Sequence, residues 1–250
     1  MRGHDGFMPH TLFISDLHLP AEPSPLRGAF AKFLAGPARQ SEALYILGDL
    51  FELWAGDDAG LRDFPEESAH LRALTAAGVP VLFQHGNRDF MVGNEFARAS
   101  GIQLLPDPVK VDLYGEATLI SHGDVFCTDD VGYQKWRRFS RNPIAQAGWR
   151  AMPRAWRERA AGGIRAKSNA NKPMKTGMIM DVNEAAIRNA FHDYNVARLI
   201  HGHTHRPREH AYDVDGRACR RYVIADWRPD QLEALRVDAS GVTRVPISRA

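Results

Sequence analysis

Five short polar blocks in this chain each follow an apolar run of the kind that forms a buried β-strand. The blocks are Asp16-Leu17-His18, Gly48-Asp49, Gly86-Asn87-Arg88-Asp89, His122-Gly123-Asp124 and Gly202-His203-Thr204-His205. They offer two carboxylates, one amide and four imidazoles, a donor set that suits manganese, iron or zinc better than calcium or copper. In parallel sheets, ligands gather where the strands end. The order of the blocks therefore predicts one site for two divalent ions, and with it hydrolysis of a phosphoester or phosphoanhydride.

The first half of the chain alternates between short apolar runs and helix-like segments. Strands are predicted at Thr11–Ser15, Ala43–Leu47 and Val81–Gln84, and a helix is predicted over Ser68–Ala77. This alternation indicates parallel strands joined by crossover helices.

The second half has a different texture, with several short strands and fewer helices. The predicted strands are Lys110–Leu113, Ala117–Ser121, Ala197–His201, Arg220–Ala225, Leu232–Val237 and Val242–Ile247. The last three follow one another closely, which suggests hairpins and a second, mixed sheet. The predicted fold is an α/β protein, a two-sheet α/β/β/α sandwich with a helical insertion. Residues 1–125 and 181–250 would form the core, and residues 126–180 the insertion.

The predicted insertion is strongly basic, although the whole chain carries only +2. Between Asp130 and Lys175 there are 12 lysines or arginines and 2 acidic residues. Three of the 5 tryptophans lie in the insertion, and Pro143 and Pro153 divide it into two or three helices. Basic and tryptophan side chains together suit an anionic lipid surface. The plainer interpretation is an ordinary helical insertion with a charged outer face. No groove-binding motif for nucleic acid is present.

The cysteine content and the apolar runs of the chain indicate where in the cell the protein is found. The 2 cysteines form no CxxC pair, which favours a reducing compartment and argues against a thiolate zinc site. No apolar run resembling a signal peptide or a membrane span occurs. We expect a monomeric protein in the cytoplasm, peripherally associated with the cytoplasmic face of the inner membrane.

The five blocks resemble the motifs D-x-H, G-D, G-N-H/R-D/E, H-G and G-H-x-H of the calcineurin-like metallophosphoesterase superfamily. Arg88 stands where many members have histidine. With the segments Leu47–Glu52, His85–Phe90, Cys127–Asp130 and His201–Pro207, it makes the chain similar to the UDP-2,3-diacylglucosamine pyrophosphatases of lipid A biosynthesis.

That resemblance implies two metal ions, most often Mn²⁺. One would be held by Asp16, His18, Asp49 and His205, and the other by Asp49, Asn87, His122 and His203. Activated water would attack the α-phosphorus of UDP-2,3-diacylglucosamine, giving UMP and 2,3-diacylglucosamine 1-phosphate (lipid X).

The resemblance also implies roles for other side chains. Asn87, Arg88 and His122 would act at the reacting phosphate. The implied substrate contacts are Asn87, Arg88, His122, Asp130, Ser168, Lys172, Lys175 and His203. Related sequences have asparagine at the position of Lys172, which leaves that contact open.

Two alternatives remain from the sequence. The chain could be another calcineurin-like phosphoesterase that acts on a soluble nucleotide polyphosphate or a phosphoprotein. It could also be a scaffold that kept the fold and lost catalysis, but the presence of all seven ligand residues argues against a scaffold.

Overall fold

The computed structural model describes residues 8–171 and 181–248, with backbone alone for 166–171. The strands are β1 His10–Ile14, β2 Ala43–Leu47, β3 Val81–Gln84, β4 Gln103–Leu104, β5 Val109–Leu113, β6 Glu116–Ser121, β7 Arg198–His201, β8 Arg208–Val214, β9 Arg217–Val223, β10 Glu233–Asp238 and β11 Gly241–Pro246. The α-helices are α1 Pro25–Ala35, α2 Asp57–Asp63, α3 Pro65–Ala76, α4 Asn94–Ser100, α5 Val131–Ser140, α6 Pro143–Ala151, α7 Arg154–Asn171 and α8 Glu184–Asp193.

The strands form two mixed sheets, as predicted. The first has the order β11-β10-β1-β2-β3-β4, in which β1 to β4 are parallel. The second has the order β5-β6-β7-β9-β8, in which β6, β7 and β9 are parallel. The carboxyl ends of β1, β2, β3, β6 and β7 are therefore the strand ends that the five polar blocks follow.

The assignment of the last strands to the second sheet was wrong for two of them. The β10–β11 hairpin belongs to the first sheet, where β10 pairs antiparallel with β1. Because β2 lies on the other side of β1, the edge of β1 is open to a returning strand. Strand β8 was missed, since four of its seven residues are exposed, three of these four are charged, and its apolar alternation is weak.

Apolar side chains fill three layers. The layer between the sheets includes Phe13, Tyr45, Ile120, Ile200 and Leu235. Helices α1, α3 and α4 cover the other face of the first sheet, and α8 covers the other face of the second. This arrangement confirms the predicted α/β/β/α sandwich.

The insertion forms three helices, α5, α6 and α7. Pro143 opens α6, and Pro153 immediately precedes α7, positions where proline's fixed φ suits a helix start. Among the described helices, none has both the length and the apolarity that a bilayer crossing requires.

We expect Phe13→Ala to lower the free energy of unfolding by about 3–5 kcal/mol, because it empties a large volume in a layer that cannot collapse freely. Phe13 is fully buried and stacks on Tyr45, with ring centroids 4.7 Å apart. Urea unfolding measures the change. Phe139→Ala is the matched control, since Phe139 is 62% exposed and its loss should change stability by less than about 0.5 kcal/mol. Equal losses in the two variants would contradict this account of the core.

Candidate metal centre

The two sheets bring all five polar blocks to one edge of the sandwich. Asp16, Asp49 and Asn87 follow β1, β2 and β3 of the first sheet. His122 follows β6 of the second sheet, and His203 and His205 follow β7. Backbone hydrogen bonds link neighbouring blocks, for example from Asp16 N to the Gly48 carbonyl, 3.1 Å. The structure therefore brings the five blocks together at these strand ends.

Three side chains converge in the first half of the site. The Nε2 atoms of His18 and His205 lie 3.3 Å apart, and His205 Nε2 lies 3.2 Å from Asp16 Oδ1. Asp49 Oδ2 lies 3.9 Å from His18 Nε2, so a fourth donor faces the same point. Asp16, His18 and His205 form a group of the size and chemistry that holds a metal ion.

The second half of the site shares Asp49 with the first. His122 Nε2 lies 3.9 Å from Asp49 Oδ2 and 3.2 Å from Asn87 Oδ1. Asp16, Asp49 and His122 also form a group whose donor atoms lie within 4.8 Å of one another. The His203 ring lies beside that of His122, with centroids 4.9 Å apart. Asp49 thus lies between the two halves, where a carboxylate can serve both.

The outer nitrogen of three imidazoles faces an oxygen atom. His122 Nδ1 donates to the Leu47 carbonyl at 2.8 Å, His18 Nδ1 lies 3.2 Å from Glu52 Oε2, and His205 Nδ1 lies 3.6 Å from Asp226 Oδ2. In a neutral imidazole with its proton on Nδ1, the lone pair is on Nε2.

Those Nε2 lone pairs face one another and the oxygens of Asp16, Asp49 and Asn87. Acceptors at such distances repel unless a cation lies among them. Imidazole, carboxylate and amide donors with carboxylates behind the imidazoles are also the usual surroundings of a protein-bound divalent ion. The donor set therefore fits two metal ions.

The backbone at this edge has an uncommon conformation. Eight non-glycine residues have positive φ in the described part of the chain, and five of these carry proposed donors: Asp16, His18, Asp49, His203 and His205. Gly86 shows how tightly the loops pack, because a Cβ there would lie 2.1 Å from Asp49 Oδ1. The backbone at residue 86 can lie this close to Asp49 only because glycine has no side chain.

The carboxylates give the site a negative potential. Burial opposes a charge on His122, but Asp49, Asp16, Asp124 and Asp107 outweigh it and raise the pKa of His122 to about 9. Burial and then the charge of Asp49 raise the pKa of Asp89 to about 7. A potential that favours a proton on a fully buried imidazole also favours a divalent cation at the same place.

Asp89 and Asp124 are buried beside the donors. Asp89 accepts hydrogen bonds from the backbone N–H groups of Leu50 and Gly86, both at 2.8 Å, and so joins the second and third blocks. Asp124 is fully buried and lies in ion pairs with arginines of α5.

The remaining predicted site residues differ in position. Arg88 is at the centre: its backbone N–H donates to Asp49 Oδ1 at 2.7 Å, and its Nη1 lies 3.9 Å from Glu52 Oε1. Asp130 caps α5, accepting from the Tyr133 N–H at 3.0 Å. Ser168 lies on α7, but its side chain lies outside the described residues, as do Lys172 and Lys175 altogether.

Sequence reasoning assigned no role to Glu52 or Asp226. Glu52 approaches His18 through Oε2 and Arg165 of α7 through Oε1, the latter at 2.7 Å. Burial opposes its charge, but its hydrogen bond with His18 and the charges of His18, Arg88 and Arg165 lower the pKa of Glu52 to about 2. Glu52 follows Asp49 of the second block by three residues, and this closeness in sequence could have marked Glu52 as a candidate site residue. Asp226 follows β9, and nothing in the sequence linked it to His205.

The model of the calcineurin-like phosphoesterase family matches residues 9–207, and the chain belongs to that family. Three curated relatives named UDP-2,3-diacylglucosamine hydrolase match nearly end to end. The protein of Aromatoleum aromaticum is 48% identical over 92% of this chain and 94% of its own length. That of Pseudomonas aeruginosa is 46% identical over 94% of this chain and 98% of its own. That of Xanthomonas oryzae pv. oryzae is 46% identical over 93% and 97%. The resemblance inferred from the motifs is confirmed.

We expect Glu52→Gln to weaken divalent metal binding by about tenfold, because the neutral amide holds the His18 ring less firmly and removes a negative charge behind it. Isothermal titration calorimetry of the metal-free protein with Mn²⁺ measures the change in metal affinity. Glu66→Gln is the control, since Glu66 is exposed on α3, away from the site. Wild-type affinity in Glu52→Gln would show that Glu52 does not support His18.

Proposed function

We propose that this protein hydrolyses the pyrophosphate bond of UDP-2,3-diacylglucosamine, giving UMP and 2,3-diacylglucosamine 1-phosphate. The observation that carries the proposal is the convergence of two donor groups on Asp49 at the carboxyl edge of both sheets. The relatives' shared name, at 46% to 48% identity over nearly whole chains, supplies the substrate.

Asp16, His18, Asp49 and His205 would hold one divalent ion, and Asp49, Asn87, His122 and His203 the other, most often Mn²⁺. When bound, such a pair lowers the pKa of water and stabilises charge on phosphoryl oxygens. The chain itself fixes where that charge forms, because the five loops are tied to one another by backbone hydrogen bonds and by Asp89.

Arg88 would bind the phosphate beside the metals. Its side chain is 9% exposed and lies at the centre, near Glu52. A planar guanidinium can donate two parallel hydrogen bonds to phosphate oxygens, and such bonds strengthen as negative charge builds up in the transition state. Asn87 and His122, which lie 3.2 Å apart, would contact the same phosphate from the other side.

The chemistry places little demand on a general acid. The leaving group is a phosphate monoester, which departs as a weak base without full protonation. Positioning and charge neutralisation are then the main requirements, as in other phosphoryl transfers. We propose further substrate contacts from Asp130, Ser168, Lys172 and Lys175, together with His203.

Four measurements test this proposal. Metal-free protein should be inactive, and added Mn²⁺ should restore release of UMP from UDP-2,3-diacylglucosamine. In H₂¹⁸O the label should enter UMP, since attack is at the α-phosphorus; label in the lipid product would contradict the assigned attack. Asp49→Ala should lower kcat by at least about a hundredfold, because it removes the shared donor. Activity on diadenosine tetraphosphate alone would overturn the substrate assignment.

The insertion, proposed to cover residues 126–180, has the surface of a lipid-facing element. In its first helix, α5, polar and charged side chains face the core, and apolar side chains face outward. Tyr133 and Arg137 on the inward face, and Arg141 directly after the helix, contact the core, whereas Val131 and Phe139 on the outer face are 58% and 62% exposed. Helices α6 and α7 add further exposed apolar side chains, Ile144 at 83% and Trp156 at 70%.

The same three helices also carry exposed basic side chains. Lys135, Arg138, Arg150, Arg154 and Arg159 are all exposed on α5, α6 and α7. Such a mixture favours the boundary between anionic headgroups and acyl chains. We propose that this surface lies against the cytoplasmic face of the inner membrane, where the acyl chains of the substrate are found, and that the protein acts there as a monomer.

We expect the protein to float with vesicles that contain anionic lipid at low salt and to float less at high salt. Each exposed basic residue near the surface contributes roughly 1 kcal/mol, and salt screens that contribution. Substituting Phe139 and Trp156 by serine should reduce flotation without changing metal affinity. Equal flotation on neutral and anionic vesicles would contradict the electrostatic part of the proposal.

A further inference from the structure

Two arginines, Arg137 on the inward face of α5 and Arg141 directly after the last residue of α5, lie in a buried cluster of ion pairs. Arg137 Nη2 lies 2.8 Å from Asp107 Oδ2, and Arg137 Nε lies 3.0 Å from Asp124 Oδ2. Arg141 Nη2 lies 3.1 Å from the same Asp124 oxygen. The side chains of Asp107 and Asp124 are 3% and 0% exposed, so both carboxylates depend on these arginines for compensation of their charge.

The same groups also reach the backbone beside the proposed metal donors. Arg141 Nη2 donates to the carbonyls of His85 and Gly86, both at 3.2 Å, immediately before Asn87. Asp107 Oδ1 accepts from the backbone N–H of His122 at 3.0 Å. One cluster therefore contacts the third block on the first sheet and the fourth block on the second sheet.

A third contact runs through Tyr133, one turn before Arg137. Its hydroxyl donates to Asp124 Oδ2 at 2.5 Å, and its ring stacks on that of His203, with centroids 6.2 Å apart and an angle of 23° between the planes. Helix α5 thus contacts the surroundings of three donors on two sheets.

We infer that Arg137 and Arg141 are positioning residues for the metal centre and set the spacing between the loops that carry Asn87 and His122. This inference rests on the proposed two-metal function. It separates the insertion into two parts with different roles. Helix α5 is part of the frame that holds the donors, and only its outer face belongs to the lipid-facing surface.

The test compares three full-length variants: Arg141→Gln, Arg137→Lys and the control Arg138→Gln. Arg138 lies on the same helix but is exposed, and its guanidinium donates to the Gln134 carbonyl of its own helix, at 3.4 Å. Mn²⁺ affinity is measured by calorimetry on metal-free protein, and kcat and KM are measured at saturating Mn²⁺.

In Arg141→Gln we expect Mn²⁺ affinity to fall by at least about tenfold, the usual effect of losing support behind a metal ligand. We expect kcat to fall more than KM rises, because the donors are displaced while the lipid-facing surface is unchanged. Arg137→Lys keeps the charge but loses the fork that spans two carboxylates, and its affinity should lie between wild type and Arg141→Gln. Arg138→Gln should bind Mn²⁺ as wild type does.

Wild-type Mn²⁺ affinity in both Arg141→Gln and Arg137→Lys, with native circular dichroism, would overturn the inference. An equal loss in Arg138→Gln would also overturn it, because the loss would then not depend on the buried ion pairs of Arg137 and Arg141. If Arg141→Gln does not fold, Arg137→Lys decides. Failure of the proposed function would give a different result. The wild-type protein and the variants would then bind Mn²⁺ in the predicted order of affinity, but the wild-type protein would not hydrolyse UDP-2,3-diacylglucosamine.

Discussion

The edge of the sandwich depends on the negative potential of its buried carboxylates. Imidazole nitrogens of His18, His205 and His122 lie 3.2 to 4.0 Å from the oxygens of Asp16 and Asp49. Carboxylate and carbonyl oxygens behind the rings hold the imidazoles in this orientation. The potential favours a proton on His122, and it favours divalent cations among the donors in the same way. The loops, the positive-φ residues and the glycines at this edge all serve to keep the donors aimed at that place.

Much of the fold and site could be predicted, because both depend on local signals. Runs such as Ala43–Leu47 and Val81–Phe83 are apolar, as buried parallel strands require, and the predicted bounds of these two strands agree with the structure. The donors come directly after these runs, so the order of strands brings them together. Pro143 and Pro153 likewise mark helix starts that proline favours wherever it occurs.

What could not be predicted depends on contacts between distant segments. The β10–β11 hairpin joins the first sheet because of the open edge of β1, a property of the assembled sheet that no run of residues near β10 reveals. Asp226 and Asp107 gain their roles from neighbours about 20 and 15 positions away in sequence, His205 and His122. The net charge of the insertion was also misleading in part. Arg137 and Arg141 are directed inward, to the buried carboxylates of Asp107 and Asp124, and the buried Arg157 is paired with Asp58 of α2, so none of the three contributes freely to an anionic surface.

The donors are divided between the sheets: Asp16, His18, Asp49 and Asn87 extend from the first, whereas His122, His203 and His205 extend from the second. Cations shared among them would join two layers that also meet through apolar packing and through hydrogen bonds such as that from His122 Nδ1 to the Leu47 carbonyl. Ions that bind the folded protein and not the unfolded chain stabilise the fold by mass action. The same ions would then serve catalysis and make the sandwich more rigid. Their loss would loosen the sandwich along the edge that carries the donors.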